Sequence, residues 1–198
     1  MNRFITVFAV LLVAGVVGFI TFTKNSPPVN NTLPKSAQIT VPSSCSGKET
    51  VQLTEGPYFK ANSPKKDDFS IDAAPGTPIV IAGFVFDTDC KPIAGASLDF
   101  WQADGKGHYD NAGYILRGHQ VTNRDGKYKL TTVIPGEYPG RTPHIHVKVR
   151  ATNTSPIITS QLFIPGVVSN DNDSIYDSSL LINKIDDTNA TYNFVLAQ

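Results

Sequence analysis

The stretch Pro135–Val149 reads P-G-E-Y-P-G-R-T-P-H-I-H-V-K-V and carries two of the chain's four histidines. Side chains of a strand alternate between its faces. His144, His146 and Lys148 therefore share one face, and Ile145, Val147 and Val149 share the other. A polar face backed by an apolar one is the pattern of a strand in the wall of a β-sandwich. Two imidazoles two residues apart on one face suit a single metal ion, because neutral imidazole serves Zn, Cu, Fe or Ni. Pro139 and Pro143 stiffen the approach, and Gly136 and Gly140 permit tight turns around Tyr138 and Arg141. An H-x-H by itself is common at surfaces and in structural pairs, so its neighbours decide what it means.

Outward from this strand the chain keeps the same habit. Fourteen Pro and fifteen Gly, with many Thr, Val and Ile, favour a turn-rich β protein. Strands are expected over Thr77–Asp87, Ala96–Gln102, Gly118–Thr122, Lys127–Val133, His144–Ala151 and Ser160–Ile164, with N-R-D-G at 123–126 as a tight turn. Asp171–Lys184 is read as room for a short helix. Short strands at regular spacing predict an all-β, antiparallel β-sandwich with long loops. Basic and acidic residues are equal in number, seventeen each, and the basic ones do not cluster. That excludes the electrostatic footprint of a nucleic-acid partner.

The N-terminus differs. Ile5–Phe22 runs without a charge behind Arg3. The run is long enough for a membrane-spanning helix, which needs roughly 20 residues, and it also fits a long signal peptide. Residues 1–23 are therefore expected to be a hydrophobic helix, either an uncleaved signal anchor or a cleaved peptide. Residues 24–44, rich in Pro, Asn and Ser, read as a flexible tether. The folded domain is expected over 45–198. It would lie outside the cytoplasmic membrane, tethered to it if the segment stays and secreted or periplasmic if it is cleaved. In such a compartment the two cysteines, Cys45 and Cys90, suggest a disulfide.

Common metal sites fit the histidines badly. A zinc H-x-H-x-D site would need an acid where Lys148 stands, and a cupin-like site would need a histidine after His146. The surroundings of the pair offer phenol instead. T-E-G-P-Y-F (54–59), W-Q-A-D-G-K-G-H-Y (101–109), L-R-G-H-Q-V-T-N-R-D-G-K-Y (116–128), the opening stretch and S-Q-L-F-I-P-G (160–166) follow in this order. Together they resemble the intradiol ring-cleavage dioxygenases, the family of catechol and protocatechuate dioxygenases, and most closely its short single-domain members.

That resemblance implies Fe(III) held by two tyrosinates and two histidines: Tyr109, Tyr138, His144 and His146. Arg141 would face negative charge developing on the substrate. Gln161 would contact bound oxygen or fix a ligand. Tyr138 would also act in catalysis, leaving the metal when a catechol chelates and taking up a proton. His108 and His119 match no ligand position and are expected in loop or hydrogen-bonding roles. The implied reaction takes a catechol-type substrate and O2 and opens the ring between the two hydroxylated carbons. Here the sequence departs from catabolic members: Gly140 follows Y-P where they carry an aromatic and a longer insert, which implies a more open pocket. The alternative reading is an exported β-sandwich that binds metal, catecholate or carbohydrate without turnover.

Overall fold

A computed structural model describes residues 43–197. The hydrophobic segment expected at 1–23 and nearly all of the tether at 24–44 lie outside the described residues. Nine strands are described: β1 Pro78–Asp87, β2 Ser97–Gln102, β3 Arg117–Val121, β4 Lys127–Val133, β5 His144–Arg150, β6 Ile158–Phe163, β7 Asn183–Lys184, β8 Asn189–Thr191 and β9 Phe194–Leu196. They form two sheets, one in the order β4-β1-β8-β7 with β9 also on β1, the other β3-β2-β5-β6.

The alternation expected of β5 is present. Ile145, Val147 and Val149 join Leu98 and Phe100 of β2, Ile79 and Ile81 of β1 and Leu130 of β4 in one buried core between the sheets. Burying such side chains contributes about 25 cal/mol per Å² of apolar surface, so a one-residue slip of β5 would expose this set and is strongly disfavoured. The N-R-D-G turn forms as read: Asn123 Oδ1 accepts from the amides of Asp125 and Lys127, both at 2.9 Å.

Two expectations need correction. The sandwich is not wholly antiparallel, because β8 and β9 both pair with β1 in parallel. They follow one edge of β1 in a single register, interrupted at Gly83. A Cβ there would overlap the Tyr192 carbonyl oxygen. The side chain of Asn193 bridges the gap by accepting from the Phe84 amide at 2.9 Å. Nor does 171–184 form a helix. The 3-10 turn Val168–Asn172 overlaps its start and the 3-10 turn Ser178–Leu180 lies inside it, the second capped by the Asp177 side chain accepting from the Ser179 amide. Aspartates that bond their own neighbouring amides favour turns over continuing helix.

Cys45 and Cys90 form a disulfide with Cα atoms 5.5 Å apart, 45 residues apart in sequence. It fixes the start of a strap that runs beside β6 and then crosses the outer face of the second sheet. Leu53 N–H donates to Thr159 O at 2.8 Å, and Ser160 Oγ donates to Val51 O at 2.7 Å. Replacing both cysteines with serine is expected to cost about 2–4 kcal/mol, the usual range for a loop of this order. Urea unfolding of the oxidised chain against the double variant measures it. Equal midpoints would show that the bond constrains nothing.

Candidate metal centre

β5 sits between β2 and β6, and register dictates what flanks its polar face. His146 lies opposite Trp101 on one side and Gln161 on the other, and Phe163 lies opposite His144. Trp101 stacks on His146 with ring centroids 4.8 Å apart and planes within 7°. The strap covers this row. Gly56, at φ +70°, brings its Cα against His146, where even a Cβ would be 3.4 Å from the ring. Tyr58 stacks on Tyr109 at 4.3 Å, and Phe59 packs edge-on to Trp101. The strap is held down by an ion pair from Lys148 to Glu55, by Lys148 Nζ 3.7 Å above the Phe59 ring, and by Ser63 Oγ donating to Asp99 at 2.7 Å.

Tyr109, Tyr138, His144 and His146 converge. The two imidazoles point their Nε2 atoms at each other, 3.0 Å apart. The Tyr109 and Tyr138 rings meet at 5.8 Å, Tyr138 and His144 at 5.7 Å, and Tyr109 and His146 at 6.3 Å. His144 Nδ1 is 2.6 Å from Thr142 O. A carbonyl accepts, so Nδ1 carries the proton and Nε2 presents a lone pair.

His146 Nδ1 and Tyr109 Oη are buried and without a partner. Neither tautomer of His146 satisfies both its nitrogens. A proton on Nδ1 leaves two bare Nε2 lone pairs facing each other, and a proton on Nε2 leaves Nδ1 bare. A cation between the Nε2 atoms removes the first conflict. Among the described residues no third His, Cys, Asp or Glu joins to make a conventional metal cluster, and the rings that meet the imidazoles include the phenols Tyr109 and Tyr138.

Electrostatics suit the same occupant. Burial pushes His144 down to about 4, helped by Arg141. Burial, with His144 beside it, pushes His146 well below its ordinary value. Both rings are thus neutral near pH 7, the form that binds metal. Burial raises both phenols, Tyr109 further than Tyr138. Phenolate is unfavourable here until a cation is bound, and a bound metal ion reverses that preference.

Arg141 joins the cluster as a hub. Its Nε donates to Asp173 at 2.8 Å in a largely enclosed ion pair. Its Nη2 donates to Gln161 Oε1, and its Nη1 is 3.5 Å from Tyr138 Oη. Gln161, fully buried, spends its other end on the Thr54 carbonyl at 2.9 Å. Both ends of that amide are engaged, so Gln161 ties Arg141 to the strap. Beside Tyr138 and Arg141 opens a cavity of about 360 Å³, lined also by Glu137, Gly140, Ser169 and Asn172. Gly140, at φ +79°, has nothing within 4 Å of where a Cβ would stand, which fits the open pocket expected from the missing insert.

His108 stays in an exposed loop beside Asp104, and His119 Nδ1 lies 2.7 Å from Ser63 O. Neither reaches the centre. Sequence reasoning missed Tyr58, Trp101, Arg117 and Asp173 as parts of this site. Tyr58, Trp101 and Arg117 stood inside the quoted motifs, and the alternation of β2 was the signal that could have placed Trp101 on the histidine face.

A β-sandwich that gathers two phenols and two neutral imidazoles beside an arginine presents the donor set of a candidate metal centre. Comparison with known proteins narrows it. A family model described as "Dioxygenase" matches residues 54–197. Hydroxyquinol 1,2-dioxygenase of Nocardioides simplex is 30% identical over 155 residues, covering 66% of this chain and 52% of that protein. Catechol 1,2-dioxygenase 1 of Acinetobacter lwoffii is 32% identical over 59% of this chain and 47% of its own length. The chain thus spans about half the length of these two relatives. Among solved structures, the dioxygenase domain of a dioxygenase carbohydrate-binding protein fusion from Streptomyces sp. SirexAA-E is 44% identical. It has a TM-score of 0.72 and is covered over 76% of this chain and 99% of that one. An intradiol ring-cleavage dioxygenase from Tetranychus urticae is 25% identical with a TM-score of 0.68, over 76% and 95% of the two chains. The chain belongs to the intradiol ring-cleavage dioxygenase family.

Proposed function

We propose that this protein is an Fe(III) dioxygenase that opens a catechol-type ring between its two hydroxylated carbons, and that Tyr109, Tyr138, His144 and His146 hold the iron. The observation that carries the reading is the facing pair of Nε2 atoms, 3.0 Å apart, beside the enclosed and unpartnered Tyr109 hydroxyl. When bound, ferric iron would supply a Lewis acid that favours phenolate over phenol and makes a catechol ring reactive toward O2. Both oxygen atoms enter the muconate-type diacid, so the stoichiometry needs no external reductant.

The chain's own residues do the rest. Tyr109, whose hydroxyl is buried and unpartnered, serves as the permanent anionic donor. Tyr138 is half-buried, borders the cavity and has Arg141 Nη1 3.5 Å from its oxygen. It is the phenol placed to receive a catechol proton. Arg141 holds a fixed positive charge beside the substrate space, preorganised by Asp173 and Gln161. The strap excludes water from the histidine face.

The domain acts outside the cytoplasmic membrane in this reading, with residues 1–23 as its export segment or anchor, residues 24–44 as the tether and residues 45–198 as the catalytic domain. The disulfide supports that compartment, since such bonds persist where thiols are oxidised.

The visible spectrum of the full chain loaded with iron tests the assignment. Phenolate-to-iron charge transfer is expected to colour it, and catechol is expected to shift the band before it decays with uptake of O2. A colourless chain with another metal would sink the iron reading. A coloured chain that binds catechol without consuming O2 would make it a binding protein.

A further inference from the structure

Among the described residues, four buried side-chain polar atoms lack a partner: Trp101 Nε1, Tyr109 Oη, His146 Nδ1 and Arg117 Nη2. Three belong to the centre or stack on it. The fourth belongs to a residue that the mechanism above does not use. Arg117 opens β3 and lies opposite Trp101, which lies opposite His146. It is 1% exposed. Its Nε donates to the Asp110 carbonyl at 3.1 Å and its Nη1 to the Tyr58 carbonyl at 2.6 Å. None of the ion pairs among the described residues involves it. Its guanidinium carbon stands 5.9 Å from the centroid of the Tyr109 ring.

A buried guanidinium whose partners are only carbonyls is costly unless an anion lies near. The other arginine of the site, Arg141, has its charge balanced by Asp173. Arg117 does not. The ring it faces is the one assigned above as an anionic donor. The two carbonyls it grips belong to Asp110, the residue after Tyr109, and to Tyr58, whose ring stacks on Tyr109. One side chain thus carries charge toward that ring and holds what lies on either side of it.

We propose that Arg117 is the fixed counter-charge of a Tyr109 phenolate, a positioning residue that favours iron binding by acting through Tyr109. The inference rests on the assignment of Tyr109 as an iron ligand. In the iron-free chain the cation has no ion-pair partner among the described residues, and the carboxylates of Asp110 and Asp99 act on it only without contact. With a tyrosinate present, the pair is balanced.

The test compares the full chain with Arg117→Met and Arg117→Lys, each stripped of iron and loaded. Iron affinity is read by competition with a chelator, the charge-transfer band by absorption, and stability by thermal midpoint. Arg117→Met is expected to bind iron about 10–100-fold more weakly, the scale for losing an outer partner of a ligand, with a shifted band. Its iron-free midpoint should fall less than its loaded midpoint. Arg117→Lys keeps the charge without the fork and should keep most of the affinity. A role limited to holding the two carbonyls would lower both midpoints together and leave iron affinity unchanged, overturning the proposal. If the methionine variant fails to fold, the lysine variant decides: near-native affinity supports the charge, and lost affinity overturns it. A wild-type chain that shows no phenolate band overturns the ligand assignment itself, and this is read on the wild type alone.

Discussion

Replacing Arg141 with methionine is expected to lower stability at pH 7 by about 3 kcal/mol, the lower end of the cost of breaking a buried pair from one side. Asp173, with 1% of its side chain exposed, would lose its only ion-pair partner among the described residues. The loss stays at that lower end because the amides of Thr142 and Ile175 still donate to the carboxylate at 3.1 Å. Burial works to raise the pKa of Asp173, but the hydrogen bonds from Arg141, Ile175 and Thr142 outweigh it and hold the group below its ordinary value. A depressed carboxylate contributes stability that is fully present above its unfolded value of about 3.9 and is lost as pH falls through its folded value. The gap between wild type and variant should therefore be widest near neutral pH and close in acid. Urea midpoints at neutral and acidic pH measure this, and an equal gap at both would mean the ion pair is not the source. Turnover should fall by about 10²–10³-fold, the scale for removing one preorganised electrostatic group. Arg141→Lys should recover only part of it, since an ammonium cannot reach Asp173 and Gln161 in the fork geometry of a guanidinium.

What the sequence disclosed and withheld divides by range. The face shared by His144 and His146 follows from alternation within one strand, a local rule, and the structure obeys it. The N-R-D-G turn is local chemistry as well. The convergence of Tyr109 and Tyr138 on the histidine pair came from ordered motifs, because no spacing rule brings a loop residue to a strand 35 positions later. The parallel pairing of β8 and β9 was invisible. Each is three residues long, and each is held by β1 more than one hundred positions earlier. Asp173 was read inside a possible helix because its partner, Arg141, is 32 residues distant. Arg117, just before the expected strand Gly118–Thr122, carries no local signal of burial. Only the register that sets it beside Trp101 and under the strap shows that it is buried.

The largest functional contrast is expected between the two tyrosines. Tyr109→Phe removes a buried hydroxyl that has no partner. Leaving such a group unsatisfied costs about 1–3 kcal/mol, so the iron-free variant should be more stable than wild type by up to that amount. Its iron affinity should nevertheless fall by more than the 10–100-fold typical of losing an outer-shell partner, because a donor itself is gone. Tyr138→Phe should behave differently. Tyr138 is half-buried, borders the cavity and has Arg141 within 3.5 Å, so its oxygen can exchange with substrate. That variant also loses a donor, but one that exchanges, so it should lose less iron affinity than Tyr109→Phe and keep a phenolate band from Tyr109, while turnover falls by about 10²–10⁴-fold, the range for a positioned proton acceptor. Iron content, thermal midpoint of the stripped protein and O2 uptake with catechol separate the cases. If Tyr109→Phe kept full iron and Tyr138→Phe lost it, the permanent and the exchangeable donor would have to be interchanged. The cavity beside Tyr138 would then no longer mark the substrate's path. If stripped Tyr109→Phe were less stable than wild type, the hydroxyl would have a partner in the iron-free protein, and the enclosed phenol would no longer argue for a cation at this site.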